Sequence, residues 1–156
     1  KLGNPVGVIN LLGRVFMKPV DCPFRAVDEI LKNIARETPI IIVDIHAEAT
    51  SEKIAMGWYL DGRVSAVVGT HTHVPTADEK ILPHGTAYIS DLGMTGPHES
   101  ILGRKVECVL KAIVTQMPTR FEVAERDVRI SGVKVSIESQ TGRAESIKRI
   151  EVREVD

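Results

Sequence analysis

Cysteine is scarce, aromatic residues make up only 4% of the chain, and no apolar run is long enough to cross a membrane. Each shortage excludes something. Cys22 and Cys108 stand too far apart for a Cys-x-x-Cys metal knuckle and are too few for a disulfide framework, so reduced thiols in a cytoplasmic protein are expected. A bilayer span needs about 20 consecutive apolar residues, so no membrane partner is expected. The formal net charge is −1 and the chain has no long Lys/Arg cluster. Duplex binding requires many phosphates to be neutralised, so sequence-specific nucleic-acid recognition is not expected either. A small anionic substrate is compatible with this balance.

What is present suffices for a core. With 156 residues, 43% of them hydrophobic and 26% charged, residues 1–156 are expected to form a single domain. The stretch that organises it is Val64-Ser65-Ala66-Val67-Val68-Gly69-Thr70-His71-Thr72-His73. Its apolar part reads as a strand buried on both faces, and Gly69 is expected to end it. His71 and His73 then lie beyond a strand's carboxyl end, where open α/β sheets gather their ligands. A second run, Ile40 to Ile45, delivers His46 in the same way. Two strand ends are thus expected to face one site.

The remaining chain alternates strand and helix signals before turning to β structure. Val6–Asn10 reads as a strand, followed by a glycine turn in which Arg14 is a candidate anion contact, although a solvated loop arginine fits the same residue. Phe24, Val27, Ile30, Leu31 and Ile34 recur at helical spacing, with Pro23 ahead and Thr38-Pro39 behind. A second helix is expected after Glu48, capped by Thr50 or Ser51, with Ile54, Ala55, Trp58 and Tyr59 as its core stripe. Lys80–Leu82 and Thr86–Ile89 read as a hairpin around Pro83-His84-Gly85, with His84 exposed. Asp91 to His98 reads as a glycine-rich loop lining the same crevice. Val106, Val109, Leu110 and Ile113 mark a third helix that stops before Pro118. Phe121–Val123, Val128–Ile130, Val133–Ile137 and Ile147–Val152 then alternate as antiparallel strands, with a turn at Thr141-Gly142.

Neutral imidazole is the commonest metal ligand, and His46, His71 and His73 are the candidate metal-binding residues. Three imidazoles suit zinc in an open site. They equally suit part of a two-metal site, in which ions roughly 3.5–4 Å apart clamp the attacking and leaving oxygens of a phosphoryl transfer. Such a site also needs bridging and terminal oxygen donors. Asp44, Glu48 and Asp91 are the nearby acids, and Asp44 is placed equally well to orient an imidazole from behind. No catalytic or substrate-binding residue is assigned on these grounds.

The segments Asp44-Ile45-His46-Ala47-Glu48-Ala49-Thr50-Ser51-Glu52-Lys53 and Val68-Gly69-Thr70-His71-Thr72-His73 together resemble the calcineurin-like metallophosphoesterases. They are most similar to the bacterial YmdB-type phosphodiesterases. The likeness continues through Gly57-Trp58-Tyr59, Gly62-Arg63 and Ser90 to Pro97, and so covers nearly the whole chain. It implies an α/β fold that is part of a four-layer α/β/β/α sandwich. It also implies a hydrolase for phosphodiesters such as cyclic nucleotides, with two divalent metal ions, iron or manganese. His46, His71 and His73 match the family's metal-binding histidines. The Gly-Asp, Gly-Glu-Asn and Gly-Asn-His motifs of that family's N-terminal half are absent, and the only asparagines are Asn4, Asn10 and Asn33. With its opening Lys1-Leu2-Gly3-Asn4-Pro5, which lacks an initiator methionine and leads straight into a strand, the chain reads as the C-terminal half of such an enzyme. In isolation it is then expected to be inactive, and to pair with the other half or with a second copy. The alternative is a catalytically incomplete metal-binding or scaffold module.

Overall fold

The three apolar runs that begin the chain lie side by side. In a computed structural model that describes residues 5–153, β1 (Gly7–Leu12), β2 (Ile41–His46) and β3 (Ala66–Thr70) are parallel neighbours. Two further strands, β4 (Lys80–Ile81) and β5 (Ala87–Ile89), extend the sheet to the order β1-β2-β3-β5-β4. Only β4 runs antiparallel to its neighbour. Val, Ile and Ala dominate the central strands because both of their faces are covered.

Two helices cover one face. Helix α1 (Pro23–Ile34) starts on a proline, whose fixed φ suits a first helical turn, and buries Val27 and Leu31. Helix α2 (Thr50–Leu60) buries Met56 and Leu60 beside them. These side chains meet Ile9, Leu11, Ile41, Val43, Ile45, Val67 and Tyr88 in one core cluster. Each fully buried Val, Leu or Ile contributes about 1.5–3 kcal/mol relative to exposure.

The other face is divided. At its lower end Ile42, Ala66 and Ala87 are register partners, and Ala144, Ile147 and Val135 close over them. The covering residues belong to β7 (Val128–Ile137) and β8 (Ala144–Arg153), which with β6 (Thr95–Pro97) form an antiparallel sheet of order β6-β7-β8. Toward the carboxyl ends the same face carries Asn10, Asp44, His46 and Thr70. Beside them, β1 leaves Val8 71% exposed and Leu12 40% exposed. Helix α3 (Val106–Thr115) buries only Val109.

Several local expectations change in the structure. The buried face of α2 is Glu52, Lys53, Met56, Gly57 and Leu60, while Ile54, Trp58 and Tyr59 of the expected core stripe are exposed. The sheet side takes two charged residues because both find hydrogen-bond partners there, Lys53 in buried Asp91 and Glu52 in the Arg14 and Val15 N–H groups, which periodicity of apolar residues does not reveal. Neither Thr50 nor Ser51 is the N-cap: that position is Ala49, and no side chain caps the helix. Gly69 lies inside β3, and its role is spatial. A Cβ there would stand 1.8 Å from the Ser90 carbonyl oxygen. The expected strand at Phe121–Val123 is reduced to a single bridge between Val123 and Arg104, whereas residues 128–137 run through Gly132 as one strand. The glycine-rich loop contains β6. Residues 1–4, on which part of the fragment reading rests, lie outside the described residues.

Candidate functional site

Parallel register aligns three strand ends. Asn10 is opposite Asp44, and His46 is opposite Thr70. Because all four residues share one face, their side chains form a polar row. Asn10 Nδ2 donates to Asp44 Oδ2 at 2.6 Å, and Thr70 Oγ1 donates to Asp44 Oδ1 at 2.8 Å. His46 Nδ1 lies 3.0 Å from the same threonine oxygen.

The donors in this row can be counted. A hydroxyl has one proton, and the Asp44 carboxylate takes it. Thr70 therefore accepts from His46, whose proton is fixed on Nδ1 and whose Nε2 presents a lone pair outward. That is the form in which imidazole ligates a metal. Asp44 thus orients His46 through Thr70, without touching the ring.

His71 faces that lone pair. Its Nδ1 is 3.1 Å from His46 Nε2, and the rings meet edge to face with centroids 4.9 Å apart. Its Nε2 is 2.7 Å from Glu48 Oε2. A neutral imidazole has one N–H, yet His71 touches two acceptors. One of these contacts needs an additional proton or a cation.

The loop that delivers His71 is bent by its backbone. His71 and His73 have φ of 119° and 67°, values that non-glycine residues seldom adopt. The bend is held from beneath by Asp91, whose Oδ2 accepts the Thr72 N–H at 3.0 Å and Lys53 Nζ at 3.0 Å, and whose Oδ1 accepts the Gly93 N–H at 2.9 Å. Burial pushes the Asp91 carboxyl up, but these hydrogen bonds outweigh it and hold the group below the usual carboxylate range. Asp91 is therefore an internal anchor for the loop. His73 is exposed on the same loop, and no hydrogen bond ties it to His46 or His71.

The structure thus links His46, His71 and Glu48 in one chain of contacts, with His73 exposed on the loop that carries His71. Among the described residues, no three His, Cys, Asp or Glu side chains form a ready ligand cage. The donors present fit one side of a metal centre in chemical type, with lone pairs from two imidazoles and a carboxylate. Arg14 approaches through its backbone: its N–H and that of Val15 donate to the buried Glu52 carboxylate at 3.1–3.2 Å. Asn10, Thr70, Glu52 and Lys53 carry no assignment from the sequence. Beside His46 and Asp44, a polar residue breaking an apolar strand at Asn10 is a further signal that points to the row.

Comparison with known proteins follows the same line. A profile of the YmdB-like protein family matches residues 1–150. The chain belongs to that family. It is 56% identical over 148 residues to the 2',3'-cyclic-nucleotide 2'-phosphodiesterase of Bacillus subtilis (strain 168), covering 95% of this chain and 56% of that protein. It is 36% identical to a putative phosphatase/phosphodiesterase of Mycoplasma pneumoniae (strain ATCC 29342 / M129 / Subtype 1), covering 97% of this chain and 54% of that one. The chain spans about half the length of these relatives. Among solved structures, a hypothetical protein from Thermus thermophilus superposes with a TM-score of 0.88 at 43% identity, over 95% of this chain and 57% of that one. Among the described residues, no helix is long and apolar enough to cross a membrane.

Proposed function

We propose that this chain supplies the histidine ligands of a metal-dependent phosphodiesterase that cleaves small phosphodiesters, with cyclic nucleotides as the substrate class. The observation that carries the reading is His71, which has one N–H to offer in its neutral form and contacts an acceptor on each ring nitrogen. A divalent cation at the ring nitrogen facing His46 would meet that mismatch, as an added proton on His71 paired with Glu48 would. Support comes from the name of the Bacillus relative, a 2',3'-cyclic-nucleotide 2'-phosphodiesterase.

His46 and His71 would hold the metal, joined by His73 from the same loop, with iron or manganese preferred and zinc compatible with the donor set. When bound, the ions acidify water and stabilise charge on the phosphoryl oxygens. Asp44 and Thr70 keep the His46 lone pair directed outward, and Asn10 fixes Asp44. Asp91 holds the loop that presents His71. In this reading the remaining oxygen donors come from a part matching the length of the relatives that this chain does not span, and the two sheets belong to an α/β/β/α sandwich.

A catalytically incomplete metal-binding module is the second reading, favoured by the absence of a ready three-ligand cage among the described residues. One assay separates the two. The 156-residue chain, and a longer version in which it replaces the matching part of the Bacillus relative, are tested with Mn²⁺ against bis-p-nitrophenyl phosphate and a 2',3'-cyclic nucleotide. The proposal expects poor turnover by the chain alone and turnover by the longer protein that His71→Ala abolishes. An inert longer protein would leave only the binding module.

A further inference from the structure

The loop joining β1 to α1 holds an aromatic residue in the open beside the histidines. Phe16 is 89% exposed and has φ 61°, a left-handed conformation that costs energy for any residue with a Cβ. Burial offers no return for that strain, because the ring is in solvent. The loop is nevertheless held on both sides, by backbone before the ring and by a side chain after it. The buried Glu52 carboxylate accepts the Arg14 and Val15 N–H groups just before it, and Met17 Sδ accepts the Glu48 N–H at 3.4 Å just after it.

The ring opens onto a cleft of about 550 Å³ lined by Leu12, Phe16, Met17, Lys18, Glu48 and His71. Three of the six residues are apolar, one is a cation, and the last two belong to the candidate metal site. Such a cleft offers a flat apolar face at one place and positive charge at another. A nucleoside phosphate has the matching pair of features.

We propose that Phe16 is the base-stacking platform of a nucleotide subsite, with Lys18 contacting the phosphate between that platform and His71. The proposal rests on the phosphodiesterase reading for its ligand class. Stacking on an aromatic ring accepts any base, because every base has a π-face, so the subsite selects nucleotides over sugar phosphates without selecting one base strongly. The strained backbone keeps the ring in place before ligand arrives, which removes an ordering cost from binding.

The test is calorimetric titration of the 156-residue chain, with Mn²⁺ present, by adenosine monophosphate and by ribose 5-phosphate. Wild type is expected to bind the nucleotide on the order of tenfold more tightly than the sugar phosphate. Phe16→Leu should erase that difference through the nucleotide alone, and Phe16→Trp should restore it. Circular dichroism of both variants confirms folding, which an exposed position readily permits. If Phe16→Leu weakens both ligands equally or neither, the platform is wrong. It is also wrong if Phe16→Leu changes only self-association in sedimentation, because the ring would then be a protein contact. Preference for the nucleotide over the sugar phosphate in a chain whose longer version is inert in the phosphodiester assay would sink the phosphodiesterase reading and leave the platform standing.

Discussion

Lys53 and Asp91 meet inside the protein, Nζ to Oδ2 at 3.0 Å, with side chains 1% and 0% exposed. Removing one member of a buried pair leaves an uncompensated charge, which typically costs about 3–5 kcal/mol. Lys53→Met is accordingly expected to lower stability by about 3–5 kcal/mol in urea denaturation. A loss under about 1 kcal/mol would mean that the two backbone N–H groups on Asp91 suffice to hold its charge.

The same carboxylate gives a pH dependence with a definite sign. Asp91 has its native pKa depressed below the ordinary value of 3.8, so the stability it contributes is present above that value and is lost as pH falls through the native one. Urea midpoints measured downward from about pH 5 should therefore fall more steeply below about pH 4 in wild type than in Asp91→Asn. Parallel slopes would remove Asp91 from the acid response.

Thr70→Val tests the orientation of His46. Valine keeps the shape and suits a strand, but it deletes the hydroxyl between Asp44 and the ring. Loss of such an outer partner typically costs about 10–100-fold in metal affinity. Titration with Mn²⁺ should show a loss in that range alongside an unchanged far-ultraviolet circular dichroism spectrum. Unchanged affinity would mean that His46 needs no orienting group.

Gly57 and Gly69 are expected to differ in their tolerance of alanine. At Gly57 a Cβ would meet the Tyr88 ring at 2.5 Å, and a ring can tilt. Gly57→Ala should cost about 1–3 kcal/mol. At Gly69 the obstacle is the Ser90 carbonyl at 1.8 Å, which is backbone between two paired segments. Gly69→Ala should exceed that range, read as a larger drop in thermal midpoint. The opposite ranking would show that β3 and the Ser90 segment separate more easily than side chains repack.

The legible parts of the molecule are those set by local pattern. Ile41 to Val43 and Ile45 make four apolar residues of the six in β2, and Pro23 with Val27 and Leu31 marks both a helix start and its buried side. The placement of His46 and His71 beyond neighbouring strands follows from the same runs. Helix α2 defeats a reading by apolar spacing because its sheet-facing side carries Glu52 and Lys53, whose partners are 37 and 38 residues away in sequence. Asn10 escapes sequence reasoning for a similar cause: its meaning comes from parallel register with Asp44, and register is a property of two strands. The positive φ of His71 and His73 is another feature that residue spacing does not encode.

The central strands carry different tasks at their two ends. Ile42 and Ala66 lie beneath the second sheet, whereas Asp44, His46 and Thr70, two to four residues onward on the same face, make up the polar row. Substitution at the carboxyl ends therefore leaves the hydrophobic core nearly untouched. Such an arrangement is permissive for evolutionary change: residues of the polar row can be exchanged one at a time with little danger of unfolding, so the chemistry at the strand ends can drift while the strands stay the same.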